Sequence, residues 1–329
     1  MALKFSQSRV IVTGCAGFIG SNLVDSLLEL GFNVIGIDNM KTGQLAFLKN
    51  AFTKPNFEFV NIDILSDTDL TKVFSNCDMV YHFAANADVR YGKDNPSVDL
   101  EQNTIATHNV LEAMRKCGIR KIAFSSTGSI YGDSLMVPTP EDAPFPIQTS
   151  LYGASKLACE GLIAAYSETF KFQAWIFRFV SILGPRYSHG HIYDFTNQLK
   201  NNPSSLTVLG DGYQTKSYLH VSDCIGAINL AVSKSSDKIN IFNLGTNDKC
   251  TVRESINWIT ETLGLSPKVN YGSNIRGWVG DNPLIYLKTD KIRLLGWEPR
   301  YTIEEAVKET TRYLLQNSWL FLKDKQIEE

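Results

Sequence analysis

The sequence lacks the groupings that would hold a metal, a polyanion or a membrane. Its six cysteines, Cys15, Cys77, Cys117, Cys159, Cys224 and Cys250, lie far apart and form no Cys-x-x-Cys pair. No metal site is expected, and a reduced, cytoplasmic setting fits this usage. No basic run of five or more residues occurs and the formal net charge is -2, which argues against nucleic acid and anionic lipid as partners. No apolar run is long enough to cross a bilayer, and the opening Met-Ala-Leu-Lys-Phe does not read as a signal peptide. Internal repeats and low-complexity segments are also missing. What remains is ordinary globular composition, 43% hydrophobic and 20% charged. At 329 residues the chain exceeds what one core usually supports, so a large domain with an appendage, or two domains, is expected.

The first positive signal is a strand, a glycine turn and a helix, in that order. Arg9 to Thr13 reads as a buried strand. It runs into Gly14-Cys-Ala-Gly17-Phe-Ile-Gly20, and a helical pattern follows from Ser21 to Leu30, ended by Gly31. In this context the glycines imply a dinucleotide site: the first permits a sharp turn, the second lets backbone approach a pyrophosphate, and the third lets helix pack on strand. The N–H groups at the helix start would receive the phosphate charge. A second strand, Asn33 to Ile37, ends in Asp38, about 20 residues on, where a carboxylate can accept from both ribose hydroxyls. The same charge would repel a 2'-phosphate, favouring NAD over NADP, although Lys41 stands nearby.

Strand and helix patterns then alternate. Phe57 to Ile62 is a strand closing on Asp63 and Ile64, Asp67 to Phe74 a short helix, and Met79 to Phe83 a strand ending in Ala84-Ala85. A long helix spans about Pro96 to Cys117, and a strand from Lys121 to Phe124 ends in Ser125-Ser126-Thr127. Such alternation predicts a doubly wound parallel sheet with ligands beyond the carboxyl ends of its strands, which places Thr127 near the cofactor. A proline-rich loop, Asp133 to Thr149, leads to a helix over Leu151 to Phe170. On it Tyr152 and Lys156, four apart, share a face. A neighbouring ammonium stabilises a phenolate, so the pair is expected to bring the phenol down from about 10 towards working range and to transfer protons.

The strand Gln173 to Val180 is followed by a change of character at Gly184-Pro185-Arg186. The remainder reads as irregular, with helices near Ile192 to Asn201, Ser222 to Ala231, Thr251 to Leu263 and Ile303 to Gln316. One further sheet strand is expected at Ile239 to Leu244, and a polar tail after Leu322. We expect residues 1–180, with 222–246 returning to them, to bind the dinucleotide. Residues 181–221 and 247–329 would form a smaller mixed α/β lobe over the site.

Taken together, Thr13-Gly-x-x-Gly-Phe-Ile-Gly20, Asp38-Asn39, Asp63-Ile64, His82-Phe-Ala-Ala85, Asn103, Ser125-Ser-Thr127, Tyr131-Gly132, Tyr152-x-x-x-Lys156, Arg178 and Gly184-Pro185 resemble the extended short-chain dehydrogenase/reductases. Within them the chain looks most like the NAD-dependent nucleotide-sugar epimerase/dehydratase family, and there most like the UDP-glucose 4-epimerase group. The resemblance implies a Rossmann fold with NAD held by Gly14, Gly17, Phe18, Ile19, Gly20, Asp38, Asn39, Gly43, Asp63, Ile64, Phe83, Ala84, Ala85, Asn103, Ser125, Tyr152, Lys156 and Phe179. It implies that Tyr152 removes the proton from the sugar's O4, Thr127 bonds that oxygen and Lys156 also binds the nicotinamide ribose. A nucleotide sugar would meet Val89, Thr127, Tyr152, Ser181, His191, Lys216 and Arg276. It further implies a homodimer built from the helices around Pro96 to Cys117 and Leu151 to Phe170.

Departures from the family pattern narrow the reaction. The 4,6-dehydratases carry Asp then Glu directly after the threonine, and the UDP-glucuronate decarboxylases keep the glutamate; here the positions are Gly128 and Ser129. That favours 4-epimerisation of a UDP-hexose, or 4-dehydrogenation with release of the keto sugar, over dehydration and decarboxylation, with a non-catalytic NAD-sensing protein as a further reading. Ser181 stands where many relatives have asparagine, and Lys216 where they have a phosphate-binding arginine, losing the bidentate fork. Arg276 is the candidate for a second phosphate contact, although Trp278 stands nearer that place.

Overall fold

The computed structural model describes residues 8–66, 69–145, 147–273 and 284–325. Asp67, Arg276 and Trp278 lie outside these residues.

Seven strands form one parallel sheet: β1 (Arg9–Thr13), β2 (Asn33–Asp38), β3 (Phe57–Asn61), β4 (Met79–His82), β5 (Lys121–Thr127), β6 (Gln173–Phe179) and β7 (Ile239–Leu244). Their order is β7-β6-β5-β4-β1-β2-β3. The order reverses between β1 and β4, which opens a crevice at their carboxyl ends. Both faces of the sheet are covered, so the central strands are apolar on both sides. In β1, Val10 and Val12 pack into one core with Leu23, Leu27 and Ile228. Ile11, between them, faces the other core with Val110, Met114 and Ile163. The covering helices are α1 (Phe18–Glu29), α2 (Ala106–Cys117), α3 (Leu151–Phe170) and α4 (Val221–Lys234). Asn229 Nδ2 of α4 donates to Ser26 Oγ of α1 at 2.9 Å.

Three expectations need correction. The helix expected from Pro96 to Cys117 is unbroken but not uniform: an α-turn over Pro96–Asp99 passes into a π-turn over Leu100–Ile105 before α2 begins. Within the widened turn Asn103 is buried and bonds Asn86 and Ser155. Strand β5 runs on to Thr127, because Ser125 to Thr127 pair with Phe177 to Phe179 of β6. The stretch after Gly184 is less irregular than expected. Ser181–Leu183 pairs with Tyr218–His220, Thr215–Lys216 with Cys250–Thr251, and Ser205–Val208 with Lys268–Tyr271. The helices Val252–Leu263 and Ile303–Gln316 each begin with a full capping box, Thr251 with Glu254 and Thr302 with Glu305. Among the described residues no helix is long and apolar enough to cross a membrane, and no cluster could hold a metal ion.

Candidate functional site

The glycine turn after β1 is folded by close contact. Gly14 has φ +70°, and its N–H donates to the Ile37 carbonyl at 2.8 Å. A Cβ there would lie 2.7 Å from the Ala84 nitrogen, and one on Gly20 only 2.0 Å from the Gly14 carbonyl oxygen. Neither position tolerates a side chain, so α1 starts directly against the turn. Its N-cap, Gly17, offers no capping side chain, and its first turn holds no acid. The helix start is thus a set of backbone donors next to Phe18 and Ile19, suited to a pyrophosphate. Phe18 is buried edge-on against Tyr187, with ring centroids 5.6 Å apart.

Asp38 ends β2 and is folded back on this turn. Its Oδ2 accepts from the Ala16 N–H (3.0 Å) and its Oδ1 from the Met40 N–H (2.9 Å). Burial nonetheless raises its pKa, with those two bonds opposing. A Cβ on Gly43 would stand 2.6 Å from Asp38 Oδ1, so Gly43 is what lets the loop pass. Lys41, which might have offset Asp38, is paired instead with Asp63 at 2.9 Å. Asp63 also accepts from Asn39 Nδ2 (3.2 Å) and the Leu65 N–H (2.9 Å). Although burial works the other way, these three donors hold its carboxyl below the usual range. Ile64 is buried beside it, its carbonyl accepting from Asn109.

Behind Ala84 and Ala85 a directed hydrogen-bond chain joins the crevice to α3. Thr13 Oγ1 accepts from the Phe83 and Ala84 N–H groups, each at 3.2 Å, so its own proton goes to His82 Nδ1 at 2.7 Å. His82 therefore carries its hydrogen on Nε2 and donates to Thr107 Oγ1 at 3.0 Å. Thr107 donates to Cys159 Sγ, and that thiol to the Asn103 carbonyl. Burial, aided by the charge of Lys156, pushes the imidazole down to about 3, so it is neutral. The Asn103 amide is fully engaged: Oδ1 accepts from the Asn86 N–H (2.9 Å), and Nδ2 donates to Ser155 Oγ (2.9 Å) and Asp99 Oδ1 (3.3 Å).

At the carboxyl end of β5 the structure brings Thr127, Tyr152 and Lys156 together. Helix α3 begins where expected because Ser150 Oγ accepts from the Gly153 N–H at 3.0 Å. Lys156 is 2% exposed. Its Nζ donates to the Ser125 carbonyl at 2.8 Å and lies 4.7 Å over the Phe124 ring. Burial lowers its pKa to about 8. Tyr152 behaves otherwise than its spacing from Lys156 predicts. Burial raises its phenol above the ordinary range, the Asp99 carboxylate adds to that, and a hydrogen bond with Thr127 opposes it. Thr127 Oγ1 accepts from the Ser129 N–H at 3.1 Å. Phe83 and Phe179 lie 6.4 Å apart, ring to ring. Beneath this floor Glu160 binds Arg178 through both oxygens, at 3.1 and 2.8 Å, and accepts from Ser126.

The remaining candidates are more scattered. Val89 is half-buried in the loop after β4, next to Arg90, which bonds Asp194 of the helix His191–Asn201 at 3.1 Å. Ser181 is exposed at the start of its short strand, and Lys216 is half-buried. The His191 ring is already engaged by Tyr218 Oη (2.8 Å) and Ser255 Oγ (3.2 Å), and burial drives it down to about 3. It is held as a wall. Two residues that the motifs did not single out, Asp99 and Ser155, meet Asn103 directly. The Asp-x-x-x-Asn spacing of 99 and 103 was the available signal.

Comparison with known proteins agrees with this geometry. The profile described as "NAD dependent epimerase/dehydratase family" matches residues 10–245. The UDP-glucose 4-epimerase of Mycolicibacterium smegmatis is 31% identical over 317 residues, covering 94% of this chain and 99% of that protein. Also 31% identical are the human dTDP-D-glucose 4,6-dehydratase, over 94% of this chain and 90% of its own, and UDP-glucuronic acid decarboxylase 4 of Arabidopsis thaliana, over 93% and 68%. Among solved structures, a UDP-galactose 4-epimerase superposes with TM-score 0.85 at 37% identity, over 94% of this chain and all of its own. A Bacillus cereus UDP-glucuronic acid 4-epimerase in complex with UDP-glucuronic acid and NAD superposes with TM-score 0.86 at 28% identity, over 94% and 99%. NAD is the cofactor of this fold, and the glycine turn, uncapped α1 and Asp38 fit it. The match over most of the chain, in sequence and in fold, places this protein in the NAD-dependent epimerase/dehydratase family.

Proposed function

We propose that this chain is a nucleotide-sugar 4-epimerase acting on a UDP-hexose of the glucose/galactose type. One observation carries the choice. Beside the Thr127–Tyr152–Lys156 cluster the acid pair that elimination would use is missing: its first position is Gly128, where a Cβ would lie 2.4 Å from the Ile285 side chain, and its second is Ser129, which has no carboxyl. Ser129, the next residue, turns its backbone N–H to Thr127.

In this reading Thr127 holds the sugar's O4 hydroxyl, and Tyr152 Oη takes its proton. Bound NAD supplies a positive charge near the phenol and a reversible acceptor for the C4 hydride, so no net oxidation follows. Lys156 stabilises the phenolate as it forms and keeps its ammonium out of solvent. Rotation of the 4-keto sugar before reduction inverts C4, and Tyr152 returns the proton. Lys216, Ser181 and Val89 line the substrate side, with residues 181–221 and 247–329 as the substrate lobe. The return of β7 to the sheet and the packing of α4 on α1 support assigning 222–246 to the NAD-binding part. A homodimer is supported by Leu100, Ile105 and Leu151, which are about half exposed on the helices expected to pair. Six unpaired cysteines support a reducing, cytoplasmic setting. Tyr152→Phe tests the mechanism: turnover should fall by about 10²–10⁴ with NAD still bound, and wild-type turnover would remove Tyr152 as the base.

A further inference from the structure

Asp99 is a buried charge with half of its bonding unmet. It ends the α-turn that passes into the π-turn, and it is 1% exposed. Its Oδ1 accepts from Asn86 Nδ2 at 2.8 Å and Asn103 Nδ2 at 3.3 Å. Its Oδ2 has neither solvent nor a partner. A carboxylate oxygen so placed is costly and calls for a reason. Packing alone does not supply one, because a Cβ on Gly92 would come within 2.0 Å of Oδ2, so the wall there is bare backbone.

On its other side Asp99 is tied to the catalytic helix. Asn103 Nδ2 bridges Asp99 to Ser155 Oγ, and Ser155 Oγ donates to the Tyr152 carbonyl at 2.8 Å. The carboxylate thus stands against the first turn of α3, which bears Tyr152 and Lys156. We propose that Asp99 is a positioning residue that sets the charge balance of the Tyr152–Lys156 pair from behind helix α3, touching neither substrate nor cofactor.

One charge acts oppositely on the two groups. It repels a phenolate and so keeps Tyr152 protonated in the resting site. It attracts an ammonium and so opposes the loss of the Lys156 proton that burial favours. The other groups around the pair are the Cys159 thiol, which acts on both, and Glu160, which acts on Lys156. Glu160 is neutralised by its two-pronged bond to Arg178. His82 faces Lys156 but is neutral. Burial raises the pKa of Asp99 itself and Asp88 adds to that, while the bonds from Asn86 and Asn103 and the charge of Lys156 favour the carboxylate. Asp99 is therefore the carboxylate near the pair that no guanidinium or ammonium contacts.

The inference rests on Tyr152 as the base, and its test is made to fail separately from the epimerase reading. In the NAD-bound protein without any sugar, tyrosinate absorbance is titrated in wild type and Asp99→Asn. The Tyr152 midpoint should fall by roughly one pH unit in the variant. In turnover, both limbs of the pH profile should move to lower pH, whereas a merely structural role would lower the plateau and leave the limbs in place. An unmoved midpoint overturns the proposal. Carboxyl-carbon NMR of the wild-type protein decides the matter even if the variant does not fold: Asp99 must be ionised at pH 8, and a protonated Asp99 there overturns the proposal. If no nucleotide sugar is converted, the epimerase reading fails while the tyrosinate titration still decides the role of Asp99.

Discussion

Replacing Lys156 by methionine separates what the buried ammonium does for chemistry from what it costs the fold. The two side chains have similar length, and the site is 2% exposed, so packing is nearly conserved. In the folded protein burial brings the Lys156 pKa from its ordinary 10.5 to about 8. Between these values the unfolded chain holds the proton and the folded chain does not, so stability contributed by this group rises with pH. It is fully present above the unfolded pKa and is lost as pH falls through the folded one. The gap corresponds to about 3 kcal/mol. Methionine has no such dependence. Below pH 8 the variant is relieved of the ion but leaves the Ser125 carbonyl unpaired, a loss of about 1–3 kcal/mol. The two proteins should therefore have similar stability at pH 7. Between pH 8 and pH 9.5, wild type should gain about 2 kcal/mol on the variant. Urea unfolding of both NAD-free proteins at several pH values measures the difference. A difference that stays constant from pH 8 to pH 9.5 would refute the depressed lysine and, with it, the account of how burial shapes this site. The variant should also lose turnover by about 10² or more.

Gly20→Ala drives a methyl group to within 2.0 Å of the Gly14 carbonyl, a strain of about 1–3 kcal/mol. Taken from cofactor affinity, it should weaken NAD binding by roughly ten- to a hundredfold, as read by fluorescence titration; unchanged affinity would mean that the turn does not seat the cofactor. Light scattering at micromolar concentration should give a dimer mass for wild type and a monomer for Ile105→Asp, which charges a half-exposed apolar position on the expected interface. A monomeric wild type would end the dimer proposal.

Much of the fold was legible because its local signals agree with each other. The helix Leu151–Phe170 has the bounds that its apolar spacing predicts, since Ser150 caps it and Lys171 leaves it in the left-handed conformation. The glycine turn was legible because strand, glycines and helix are contiguous in sequence. The π-turn at Leu100–Ile105 was not: its buried Asn103 bonds partners well removed in sequence, Asn86 and Ser155, which local spacing does not reveal. The phenol of Tyr152 shows the same limit from the other direction. Its distance from Lys156 along the helix predicts a lowered pKa, but burial and the Asp99 carboxylate, neither visible in the spacing, raise it, and the opposing group is Thr127. The resemblance sets His191 against the substrate, and only the fold shows its ring engaged by Tyr218 and Ser255. The paired strands after Gly184 are two to four residues long, too short for periodicity to reveal.

The most direct test is to incubate the purified protein, with no added NAD, with a panel of UDP-, GDP-, CDP- and dTDP-sugars, then to record product mass and the proton NMR coupling at C4. The account predicts unchanged mass and an altered C4 coupling for a UDP-hexose, the mark of inversion at C4 with a retained cofactor. Conversion only when NAD is supplied, with two hydrogens lost from the sugar, would contradict it and make the protein a 4-dehydrogenase.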